Sequence, residues 1–244
     1  MKLYTLLIAV LLTSFGLEAK DYKASLFGVK SDGLTMNTRS IQKGIDYISE
    51  NGGGRLVFEV GRYLTGALQL KSNVTIKLEE GAVLVGSASI YDYNSAAGIK
   101  AVISATGQEN IGISGEGVIE GNGALLLKNM EALQAKRFLL DSLTVQPVLI
   151  GLKDCSNIAI DSVIMKDAAG IVQIFDKCNH LVIELVTIKS DYSNDAGIIF
   201  SDNKDVTFRH SYVEVPGKPM RWTGATTELK LDKTIDSQGN LLKP

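Results

Sequence analysis

Apolar residues along this chain fall into short runs separated by Gly, Asn, Asp and Ser, and the runs recur. The segments "CSNIAIDSVIM" from Cys155, "CNHLVIELVTI" from Cys178 and "DNKDVTFRHSYV" from Asp202 align. Asn157, His180 and Asp205 then take equivalent places, 23 and 25 residues apart. A short apolar strand precedes each segment ("PVLIGL", "GIVQIF", "GIIFS"), and each segment holds two more. The unit is strand, turn, strand, turn, strand. It predicts an all-β fold, a right-handed single-stranded parallel β-helix. One unit makes one coil, and coils stack about 4.8 Å apart. Val, Ile and Leu dominate the strands, as parallel strands buried against neighbours require.

The N-terminal half repeats less strictly. "RLVFEV", "YLTGALQL", "NVTIKLE" and "AVLVGS" read as strands, and "AVISATG", "NIGISG" and "GVIEG" continue them. Asn73 and Asn110 fall at turn positions like that of Asn157. The open end of a β-helix exposes unpaired strand edges and needs a cover. Residues 38–49 supply one: Ile41, Ile45 and Ile48 make a single helical face, with Asn37 or Thr38 as the cap. A second helix is expected between Ala124 and Leu143, packed outside the coils. No linker-like tract divides the chain, so residues 20–244 are read as one β-helix domain.

Before that domain, Lys2 and the apolar run "LYTLLIAVLL" have the length of a signal peptide and fall short of a bilayer span. Residues 1–19 are read as that leader. The mature protein is expected to be secreted or periplasmic, free of the membrane and monomeric. A formal charge of -2 gives no field pointing to nucleic acid. Two cysteines, Cys155 and Cys178, are too few for a disulfide scaffold, and the repeat stacks them as a buried thiol pair, with a disulfide the lesser alternative. The two histidines, His180 and His210, lack metal-ligand spacing and read as surface or ladder residues; no metal or cofactor is expected.

Several stretches carry a family likeness. "FGVKSDGLTMNTRSIQKGID" from Phe27 resembles the opening of pectate-lyase-like β-helix proteins. "NGGGRLVFEVGRYLTGALQLKSNVTIKLEEGAVLVGS" and "GEGVIEGNG" resemble the following coils of polygalacturonases, glycoside hydrolase family 28. The likeness runs over about residues 25 to 215. It implies hydrolysis of pectic polymers rich in galacturonic acid, held in a groove along the outside of the coils, without a metal. A calcium-dependent lyase would need clustered Asp or Glu ligands, which the sequence does not offer.

The family places its catalytic acids in an Asn-Thr-Asp-Gly-Ile loop and a Gly-Asp-Asp turn one coil on. Here the loop reads Asn194-Asp195-Ala196-Gly197-Ile198, with Ala196 at the acid's place and Asp195 one residue early. The next turn is Gly217-Lys218-Pro219, and Gln146 stands where the family carries Arg. Inverting hydrolysis needs two carboxyl groups about 6.5–9.5 Å apart. Asp195 is the candidate for one, and Asp167 on the preceding coil for the other; both also suit solvated turns. Asn194, Lys218, Arg221 and Trp222 are candidate sugar contacts, cations for the uronate carboxylate and a ring for the pyranose. Trp222 equally suits a cap on the C-terminal end of the coils.

Three functions remain open on these residues. One is a polygalacturonase-like hydrolase using an altered acid set. Another is a non-catalytic β-helix that binds an acidic plant-type polysaccharide. The third is a truncated relic or surface module, for which the polar tail from Thr223, resembling no coil strongly, is the motivating feature.

Overall fold

Three parallel sheets wind around one apolar interior. The computed structural model describes residues 19–93, 99–139 and 145–243. The expected leader, except Ala19, lies outside these residues.

Each complete coil contributes one strand to each sheet. The coil that begins at Val148–Lys153 continues through Ser156–Asp161 and Ile164–Lys166, and Gln173–Asp176 then opens the next. The sheets hold six, eight and seven strands, and every pairing within them is parallel. Such crossovers wind right-handed, so the fold is the parallel β-helix that the repeat predicts.

Register decides what lies inside. Because side chains alternate across a strand, one residue of each coil meets its equivalents above and below. Leu56, Ile76, Ile113, Ile160, Ile183 and Phe208 form one such inner column, each opposite the next. In the six-stranded sheet an aromatic column runs through Phe175, Phe200 and Trp222, with ring centroids 5.4 and 4.5 Å apart. Trp222 therefore turns inward and ends a stack, the covering role its position suggests. Cys155 and Cys178 are buried and free. The neighbouring Cys155 thiol, with burial, pushes the Cys178 thiol up.

The turns also repeat. Asn73, Asn110, Asn157, His180 and Asp205 all have φ between 51° and 64°, a left-handed conformation in which Asn, Asp and His are enriched. They stack on the surface: Asn110 Nδ2 donates to Asn73 Oδ1 at 2.9 Å, and His180 Nδ1 lies 2.6 Å from Asp205 Oδ2. His210 pairs with Asp232. Both histidines are thus surface ladder residues.

Helix α1, Thr38–Glu50, covers the N-terminal end and buries Ile41, Ile45 and Ile48 completely. Its cap differs from expectation. The Asn37 side chain makes no capping bond. Its carboxamide is already engaged with the backbone N–H and carbonyl of Lys30 at 2.8 and 2.9 Å, while Thr38 Oγ1 accepts from Gly66 N at 2.7 Å. Helix α2, Gly123–Ala135, is the start of the second expected helix and packs Leu126 and Met130 inward; residues 140–143 of that expectation lie outside the described residues. The tail from Thr223 corrects the reading above. Thr227–Asp232 pairs with Lys204–Arg209, and Ile235–Asp236 with Tyr212–Glu214, so it continues the coils. Its pattern is weak because a terminal strand buries little; only Leu229 and Leu231 of that strand pack on the core.

A polar residue interrupts one inner column. Gln173 is fully buried between Ile150 and Ile198; its Nε2 meets Met165 Sδ and its Oε1 has no partner among the described residues. An unmet buried acceptor costs about 1–3 kcal/mol. Gln173→Met should therefore raise stability by about 1 kcal/mol, whereas Phe200→Ala, which empties the centre of the aromatic column, should cost about 3–5 kcal/mol. Guanidinium unfolding of both variants checks the pair of signs.

Candidate functional site

The segments that lead into the six-stranded sheet line a groove of about 760 Å³ on its outer side. Lys100, Gln146, Gly170 and the pair Asn194–Asp195 come from four successive coils, and Ile171, Ile174 and Val148 supply an apolar floor. Leu127 of α2 and Tyr192 contribute walls. Lys100 and Asp195 belong to coils three apart, so they stand about 14 Å apart along the axis at the usual strand spacing.

Asp195 precedes the strand Ala196–Ser201 and is exposed. Arg221 lies one coil on, where it pairs in register with Ile199 and projects on the outer face. Its Nη1 donates to Asp195 Oδ1 at 2.9 Å. The two side chains are 38% and 54% exposed. A pair that open to water contributes under about 1 kcal/mol, so a ligand carboxylate can compete for the guanidinium. Arg221 Nε is shielded from solvent and has no hydrogen-bond partner among the described residues.

The other sequence candidates divide between this centre and its surroundings. Asn194 lines the groove beside Asp195. Asp167 does not line it: it holds a left-handed turn at φ 52°, and its carbonyl accepts from Gly123 N at 2.7 Å. Asp195 is thus the one carboxylate among the described residues that line the groove. Lys218 is exposed, and its backbone N–H donates to the Asp195 carbonyl at 3.1 Å. Trp222 has one ring face against Phe200. Ala196, at the place of the family acid, is fully buried. Among the described residues no cluster of three or more His, Cys, Asp or Glu could hold a metal ion.

Sequence reasoning missed Lys100 and Tyr192 and did not place Gln146 in the site. Lys100 Nζ is shielded from solvent and has no hydrogen-bond partner among the described residues.

Gly217 fixes the loop from the coil above. A Cβ there would lie 2.5 Å from the Asn194 carbonyl oxygen and 2.7 Å from that of Asp195. Neither atom can move without shifting the loop. Gly217→Ala should cost about 1–3 kcal/mol by overpacking, measured by denaturant unfolding.

Comparison with known proteins agrees with this geometry. The family Glycosyl hydrolases family 28 matches residues 55–217, more than half of the chain. An exo-poly-alpha-D-galacturonosidase of Dickeya chrysanthemi is 40% identical over 114 residues, which are 40% of this chain and 19% of that protein. The chain thus spans about a fifth of that relative's length. Among solved structures, a protein of Parabacteroides merdae ATCC 43184 assigned as a glycosyl hydrolase is 39% identical with a TM-score of 0.87, over 92% of this chain and 99% of the other. The family 28 exopolygalacturonase of Yersinia enterocolitica shares the fold at 20% identity and a TM-score of 0.74, over 88% of this chain and 49% of its own. With its coils and the matched span in agreement, the chain belongs to glycosyl hydrolases family 28.

Proposed function

We propose that this protein acts on pectic polysaccharide rich in galacturonic acid as a polygalacturonase-like hydrolase, with the sugar chain along the groove and Asp195 at the reacting bond. The observation that carries this reading is that Asn194 and Asp195, which stand in the family's catalytic loop, line the groove. The similarity to an exo-poly-alpha-D-galacturonosidase supports the substrate class. A polymer cannot cross a membrane unaided, which suits the secreted or periplasmic location expected from the N-terminal run.

Hydrolysis with inversion needs one group to activate water and another to protonate the leaving oxygen. Asp195 can serve as the base: a carboxylate oriented by Arg221 and open to water accepts a proton from the attacking water. Asp195 is the one carboxylate among the described residues of the lining, and this reading leaves protonation of the leaving oxygen to water. A positioned general acid contributes about 10²–10⁴-fold, so turnover should be slower by that factor than in a site with both acids.

One observation favours a second reading, a groove that binds pectin without cutting it. The Asp195 carboxylate is engaged by Arg221, and the described residues of the groove lining include no second carboxylate. Reducing-sugar release from polygalacturonate, measured beside calorimetric binding, separates the two. The hydrolase reading expects slow release that drops at least about 10-fold in Asp195→Asn. Binding with no release would establish the second reading, and equal release from both proteins would remove Asp195 from the chemistry.

A further inference from the structure

We propose, on the reading that this groove takes a pectic chain, that the part of it before Asp195 selects an uncharged unit: a galacturonate whose carboxyl group carries a methyl ester. Leu127 and Val145, on an overlong coil, are the residues that set the preference.

The charges that the groove presents do not suit a free acid. A carboxylate taken out of water needs a cation or a set of donors around it. Lys100 and Asp195 are the charged residues among those described in the lining. Lys100 Nζ has no surface open to solvent, so a ligand oxygen in the groove does not reach it. Asp195 is exposed, and Arg221 is spent on it at 2.9 Å. Lys218 lies one coil on and does not line the groove. Residues 94–98 and 140–144, outside the described ones, contain neither Lys nor Arg in sequence. The open charge of the lining is therefore negative. A row of carboxylates laid here would lose water without gaining a partner.

The apolar lining suits the ester. Val148, Ile171 and Ile174 make the floor, and Leu127 and Val145 stand over it. Val145 is 64% exposed, an apolar side chain open to a ligand. These two residues owe their place to a break in the repeat. The strands that begin at Ala101 and Val148 stand roughly twice as far apart in sequence as those of the next two coils, and α2 occupies the difference. Leu127 belongs to α2 and Val145 to the segment after it, so a coil of ordinary length would carry neither. Gln146 and Asn194 add amides along the same groove. Amides both donate and accept, so they can serve ring hydroxyls and an ester carbonyl without any charge. Methylation turns the one ionised group of a galacturonate unit into an apolar tip, which is what this lining can bury.

The test is calorimetry with oligogalacturonate and its fully methyl-esterified form, on the full-length protein and its Leu127→Gln and Val145→Lys variants. The wild type should bind the ester at least about 10-fold more tightly. Burial of one methyl group accounts for about 4-fold, and the unpaired carboxylate weakens the acid further. Leu127→Gln should lose about 4-fold for the ester. Val145→Lys supplies the missing cation and should gain about 10-fold or more for the acid, the scale of a charge-assisted hydrogen bond. Val145 is exposed and outside regular structure, so its variant keeps the test open if α2 does not tolerate the change at Leu127. A wild type that binds the acid as tightly as the ester, or more tightly, overturns the preference and leaves the pectic reading intact. A ratio that neither variant alters overturns the role of Leu127 and Val145. A wild type that binds neither form overturns the pectic reading, and the preference with it.

Discussion

Vertical register between coils is the constraint on which the rest of this molecule depends. Every strand inside a sheet is bonded to its equivalents above and below, so a residue's neighbours are fixed by its place in the coil. A slip of one residue would turn an inner column out to solvent. That is why Phe175, Phe200 and Trp222 meet as a stack, and why Gln173 stands as the polar exception between Ile150 and Ile198. Such columns stabilise by area: burying one aromatic or aliphatic side chain is worth about 1.5–3 kcal/mol.

The same register builds the groove. Residues leading into one sheet are brought together from coils distant in sequence, and their side chains point outward from a rigid frame. Asp195 gains Arg221 from the coil above, and Gly217 passes close over the loop because it has no side chain. The loop is therefore held by backbone contact. Among the described residues that line the groove, Asp195 is the one carboxylate. The proposed hydrolysis and the alternative of binding alone differ in what Asp195 does.

Much of the fold was legible because its repeat is strict where it counts. The segments from Cys155, Cys178 and Asp202 carry the coil, its left-handed turns and its thiol pair openly. The Asn194–Asp195 loop was legible from motif order. Other parts were not, for physical reasons. The coil from Thr227 buries too little to show a pattern. Asn37 sits where a cap belongs but spends its carboxamide on Lys30. Lys100 was invisible because α2 breaks the period. The strands starting at Ala101 and Val148 are 47 residues apart, against 25 from Val148 to Gln173 and 23 from Gln173 to Ala196. With that interruption, a lone lysine before a strand reads as an ordinary solvated charge, and only the folded chain shows its withdrawn ammonium.

A crystal structure of the protein soaked with an oligogalacturonate tests the central claim most directly. The sugar chain should lie along the outer side of the six-stranded sheet, with a glycosidic bond near Asp195. Density on either of the other two sheets, with this groove left empty at saturating ligand, would contradict it.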